Sequence, residues 1–148
     1  MHVSKEMEVG IDTWKSVAAN YPCMMFRVDL NDAKQVGGFV FPAEDKPYFT
    51  GAGGLHFWAD IDDAVAYAVD DICVDHIYAC PMIDGALVVH WTRELMAQQK
   101  THTKPTLVLG VTGYNGARRM RNEVVLPGVK GSVYAPSTII RIIIASSN

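Results

Sequence analysis

Met24-Met25-Phe26-Arg27-Val28-Asp29 is an apolar run broken by one arginine. It is answered, far along the chain, by a lone glutamate, Glu123, at the head of a second apolar run, Val124-Val125-Leu126-Pro127-Gly128. Both runs read as strands. A charge set into a strand rarely helps folding, because burying it unpaired costs on the order of several kcal/mol. One cationic and one anionic strand of this kind point to a cleft. Arg27 would hold a phosphate or carboxylate there, and Glu123 would stabilise developing positive charge. The plainer reading makes Arg27 a strand salt bridge to Asp29 or Glu123, and Glu123 an exposed carboxylate.

The composition frames this cleft. The chain has 148 residues, 49% hydrophobic and 20% charged, which suits one globular domain spanning 1–148 with a real core. Its net charge of −3 argues against bulk electrostatic binding to nucleic acid or anionic membrane. The charge is uneven. Asp60, Asp62, Asp63, Asp70, Asp71 and Asp75 make the middle acidic, and Arg118, Arg119 and Arg121 form a basic knot before Glu123. Three cysteines, Cys23, Cys73 and Cys80, show neither a disulfide framework nor zinc spacing, and the five histidines include no HExxH, so no metal is expected. No signal peptide is visible and no apolar run approaches the ~18 residues of a membrane helix. The expectation is action in the cytoplasm without a membrane partner; export by a route needing no N-terminal signal stays open.

Around the two runs, the periodicities predict an N-terminal helix within 1–22, carried by Met7, Ile11, Trp14, Val17 and Ala18, and stopped by Asn20-Tyr21-Pro22. A helical turn over 31–35 closes at Gly37-Gly38, a loop covers 42–54, and a short strand covers 55–59. Asp60 caps a helix whose buried stripe is Ile61, Ala64, Val65 and Ala68. Strands at 75–80 and 85–90, a helix near 92–99, and strands at 105–112, 122–126, 130–135 and 138–145 complete the chain. Short strands with helices clustered early predict an α+β fold. Ile139-Ile140-Arg141-Ile142-Ile143-Ile144 is apolar on both faces and predicts a central strand.

Three motifs in this order resemble mono-ADP-ribosyltransferases of the cholera/pertussis toxin type, whose signature is Arg, Ser and Glu on successive strands. Met25-Phe26-Arg27-Val28-Asp29 with Val36-Gly37-Gly38-Phe39 resembles the family's first strand and polar turn. Gly54-Leu55-His56-Phe57-Trp58 stands where the family has a Ser-Thr-Ser strand. Asn122-Glu123-Val124, followed by Val133-Tyr134-Ala135, resembles the catalytic-glutamate strand and the next one. The resemblance covers roughly residues 23–145. It implies two roughly perpendicular, mostly antiparallel β-sheets with flanking helices around an NAD cleft.

The resemblance also implies the chemistry. Nicotinamide leaves NAD through an oxocarbenium-like transition state, which a fixed carboxylate stabilises selectively. Glu123 takes that role. Arg27 holds the NAD phosphate or braces the nicotinamide pocket with its planar fork, and Asp29 orients Arg27 or the ribose. His56 replaces the family's first serine as a donor to ribose or glutamate, and Trp58 stacks on nicotinamide; both are equally readable as core residues. Period-two alternation puts His56 and Trp58 on one face of the strand and Leu55 and Phe57 on the other. Tyr48 and Phe49 either cover the bound ligand or belong to a packed loop.

The sequence departs from the family before the glutamate. Arginine-modifying relatives carry a glutamate two residues earlier, where this chain has Arg121, which donates only. An arginine target is therefore disfavoured. The basic loop Gly113-Tyr114-Asn115-Gly116-Ala117-Arg118-Arg119-Met120 suits an acidic target, protein or nucleic acid, faced by Tyr114, Arg119 and Arg121. The implied role is that of a toxin or effector, with NAD as co-substrate and a neutralising or carrier partner as an open option. Two alternatives stand beside it: a non-catalytic binding domain of the same fold, and an NAD glycohydrolase.

Overall fold

The computed structural model describes residues 5–30, 33, 37–41, 54–83, 87–90, 106–109, 111–112, 119–120, 123–127 and 131–144. Its strands are β1 (Lys5–Gly10), β2 (Met24–Arg27), β3 (Phe39–Val40), β4 (Gly54–Trp58), β5 (His76–Pro81), β6 (Leu87–His90), β7 (Thr106–Leu109), β8 (Val111–Thr112), β9 (Arg119–Met120), β10 (Glu123–Pro127), β11 (Val133–Tyr134) and β12 (Thr138–Ile143). Helix α1 spans Ile11–Val17 and α2 spans Ile61–Ala66. The α+β class read from the sequence is the class observed. The predicted helix over 92–99, all but the last residue of the loop over 42–54 and most of the turn over 31–35 lie outside the described residues, and Gly54 begins β4.

Eight strands form one mixed sheet in the order β1-β12-β5-β2-β4-β10-β7-β6. Only β1 with β12 and β6 with β7 run parallel; the other neighbours are antiparallel. Two short ladders, β3 with β11 and β8 with β9, stand apart from it among the described residues.

The two perpendicular sheets expected from the resemblance are not seen: the described residues form one eight-stranded sheet with two short ladders apart from it. The extent of the first helix is corrected as well. The N-terminal helix does not fill 1–22: residues 5–10 form the strand β1, and the α-helix occupies only Ile11–Val17. Met7 and Val9 satisfy a two-residue period as well as Met7 and Ile11 satisfy a helical one. The apolar strand β12 supplies a long partner edge, with register from Lys5↔Thr138 to Gly10↔Ile143. Tertiary pairing therefore overrides a weak local preference, and Gly10 marks the switch from strand to helix.

The two faces of the sheet bury separate cores. On one, α1 and α2 contribute Trp14, Ala64 and the following Ala68, which meet Met24, Phe26, Val28, Trp58, Ile77, Ile140 and Ile142. Trp14 stacks on Tyr21 and meets Phe26 edge-on. On the other, Phe39 and Phe41 close over Met25, Leu55, Phe57, Tyr78, Cys80, Val124, Leu126 and Ile139. Strand β12 contributes to both cores, as its unbroken apolar sequence predicts. Asp60 caps α2 as expected, its Oδ1 accepting the Asp62 N–H at 2.8 Å. Gly38 fixes the β3–β11 ladder: its φ is +154°, its N–H donates to the Ala33 carbonyl at 2.8 Å, and an added Cβ would meet the Tyr134 carbonyl.

Candidate functional site

The candidate residues lie around the shortest ladder of the eight-stranded sheet, that of β2 with β4. Strand β2 follows β5 over four residues, from Met24↔Pro81 to Arg27↔Tyr78. With β4 its register is the single pair Phe26↔Trp58. The ladder ends at Phe26, and beyond it the Arg27 side chain reaches β4. Its Nη1 donates to the His56 carbonyl oxygen at 2.8 Å, and Nε and Nη2 reach Asp29 Oδ2 at 3.4 and 3.3 Å. The guanidinium carbon stands 5.9 Å from the centre of the Phe57 ring. The Arg27 and Asp29 side chains are 20% and 13% exposed, so a charged pair sits beside this short ladder, largely withdrawn from water.

Strand β4 brings the third candidate alongside. Strand β10 is its other neighbour, with register Glu123↔Trp58 and Val125↔His56. The strands carrying Arg27, His56 and Glu123 are thus consecutive in the sheet, although far apart in sequence. Leu55 and Phe57 belong to one core and Trp58 to the other, the alternation expected from the sequence. Arg27 meets Phe57, and Glu123 is in register with Trp58; these two β4 residues serve opposite faces of the sheet. His56 is buried at 8% exposure. Trp58 is 4% exposed and lies 5.4 Å from the Tyr67 ring, so the structure places it in the helix-side core.

The residues expected to face a target are only partly described. Arg119 begins β9, paired with Thr112 of β8. Tyr114, Arg121 and Phe49 lie outside the described residues. Among the described residues no group of three His, Cys, Asp or Glu could hold a metal ion, and no helix is long and apolar enough to cross a membrane.

The structure adds residues that the sequence reading did not select. A cross-strand row runs Glu8–Arg141–Tyr78–Arg27 over β1, β12, β5 and β2. Arg141 Nη1 donates to Glu8 Oε2 at 2.9 Å. Burial works against the Arg141 charge, but the Glu8 hydrogen bond, aided by Tyr78, outweighs it and raises the pKa. The available signal was a charge inside an apolar strand, the same one that singled out Arg27. Two residues before Tyr78 on β5, His76 Nδ1 lies 3.0 Å from Asp75 Oδ1, and its ring meets Tyr78 edge-on. That hydrogen bond lowers the Asp75 pKa. Beneath Arg27, burial pushes the Cys80 thiol far up, although the guanidinium acts in the other direction. Burial also pushes Tyr134 up to about 12.

Comparison with family models, with curated proteins and with solved structures finds no match to this chain.

Proposed function

We propose that this chain is an NAD-dependent mono-ADP-ribosyltransferase. The short β2–β4 ladder beside Arg27, with the Glu123 strand next in the sheet, is the observation that supports this reading. The halves of the sheet on either side of this short ladder would serve as the two sheets of the fold, with NAD between them. In the proposed reaction the glycosidic bond between nicotinamide and the ribose C1′ breaks, and its electron pair leaves with nicotinamide. A nucleophile of a macromolecular target forms the new bond to C1′ and gives up its proton. Glu123 stabilises the cationic ribose, Arg27 holds a phosphate, and Asp29 keeps the guanidinium fork oriented. His56 lines the ribose side and Trp58 backs the nicotinamide side. Tyr114, Arg119 and Arg121 face the target, and Phe49 covers the ligand. A role as a toxin or effector acting in the cytoplasm follows from the same resemblance.

A non-catalytic binding domain is the second reading, and three observations favour it. The Arg27 fork is already engaged by Asp29 and the His56 carbonyl. Trp58 is packed in the core. The residues that Arg27 and Glu123 adjoin on β4 serve opposite faces. Equilibrium NAD binding separates the readings. Micromolar binding that falls on Arg27→Ala supports the transferase; no binding by the folded wild type supports the second reading.

A further inference from the structure

We infer that the outer edge of β1 is a docking site for an extended segment of a partner protein in which basic and apolar residues alternate. Among the described residues β1 ends the eight-stranded sheet: it pairs with β12 on one side and with nothing on the other. A strand in this position presents the N–H and C=O of every second residue outward, a row of donors and acceptors that an added strand completes. Strand β1 contains no proline, and its register with β12 runs without a bulge from Lys5↔Thr138 to Gly10↔Ile143. Of the usual devices that close such an edge, the described residues supply charge alone, and that charge selects the partner.

Met7 and Val9 pack, partly buried, against the helix-side core. Glu8 alternates with them, is 59% exposed, and accepts a hydrogen bond from Arg141. Glu6 holds the register position two residues earlier, opposite Ile139. An added strand over 6–10 therefore meets acidic positions at 6 and 8 and apolar ones at 7 and 9; Lys5, at the head of β1, lies beyond it. Apolar partner residues extend the core past Met7 and Val9, and basic ones stand across from the carboxylates, where opposite charges attract. Glu8 can serve Arg141 and a second cation together, because a carboxylate has about four lone-pair sites. The same charges disfavour a second copy of this chain. A two-fold axis that continues the sheet sets residues of one face opposite each other, so the longest antiparallel β1–β1 registers place Glu6 against Glu8 twice or Glu8 against Glu8. The net charge of −3 favours a basic partner in the same sense.

Calorimetric titration with a short peptide of alternating lysine and valine tests the inference, beside one peptide with glutamate in place of lysine and one N-methylated at every residue, which removes its backbone donors. Wild type is expected to bind the lysine peptide and neither of the others. Glu6→Lys combined with Glu8→Lys should weaken that binding by about tenfold or more. Glu6→Lys alone, which keeps the Glu8–Arg141 pair, should show part of the loss, and it serves if the double variant does not fold. Hydrogen exchange on the free protein should find alternate amides of residues 5–10 fast, and the lysine peptide should slow them. Equal binding of the N-methylated peptide would reduce the contact to charge attraction and overturn the inference. No binding by folded wild type, or binding unmoved by the lysine substitutions, would do the same. So would a free protein whose β1 amides are all slow, either in a dimer seen by sedimentation or in a monomer that covers the edge with its own chain. None of these outcomes depends on whether the protein consumes NAD.

Discussion

The Arg27 guanidinium donates to the carbonyl oxygen of His56 just beyond the end of the β2–β4 ladder. A side chain thus takes over a main-chain acceptor at the point where the ladder between these strands ends. The arrangement gives Arg27 two roles, tying β2 to β4 beyond their ladder and presenting cationic charge there.

Removing Arg27 should affect stability and function together. Arg27→Ala takes away the donor to the His56 carbonyl and leaves Asp29 without its ion-pair partner. A cost of about 1–3 kcal/mol in urea unfolding is expected. Arg27→Lys should recover part of the stability but little NAD affinity, since an ammonium lacks the planar fork. Full recovery of NAD affinity by lysine would contradict the assigned role.

The three thiols should divide two to one. Cys23 and Cys73 are exposed, whereas Cys80 is buried and its pKa is raised by that burial. A thiol reagent on the native protein should consume two equivalents quickly, and the third only after denaturation. Three fast equivalents would show that the core beneath Arg27 opens readily.

The acid limb of stability should carry a contribution from Asp75. Its hydrogen bond to His76 lowers its pKa below the ordinary 3.8, so the stabilisation is present above that value and is lost as pH falls through the lower folded-state value. Asp75→Asn should flatten unfolding free energy against pH in this acidic window and leave the neutral region unchanged in slope. The pair is exposed, so high salt should shrink the difference. An acid limb unchanged by Asp75→Asn would remove the contact from the account.

The basic loop before Glu123 should matter for the target and not for NAD. Replacing Arg118 and Arg119 with Ala is expected to weaken transfer to a macromolecule while sparing nicotinamide release into water. Equal loss of both activities would refute a target-reading role.

The particular residues show what was legible in the sequence. The Arg27 strand, the 55–59 strand, the Asp60 cap and the two-faced strand around Ile140 were readable because each signal is local: an apolar run, a two-residue period, a capping side chain. The strand at 5–10 was not, because Met7, Ile11 and Trp14 fit a helical period and only the distant edge of β12 decides the matter. Arg27, His56 and Glu123 were each selected from sequence, but their neighbouring strands depend on pairings between segments far apart in the chain. Arg141 carried the same charge-in-strand signal as Arg27. It was passed over because the apolar run around it already had a complete explanation as core, and its alignment with Tyr78 exists only in the assembled sheet.

Nicotinamide release from NAD, followed by mass spectrometry for wild type and Glu123→Ala with and without cell lysate, tests the central claim most directly. The account predicts release that rises with lysate and falls about 10²–10³-fold on loss of the carboxylate. Release that needs Glu123 but ignores lysate would make the protein an NAD glycohydrolase. No release by folded wild-type protein in either condition would contradict the transferase reading.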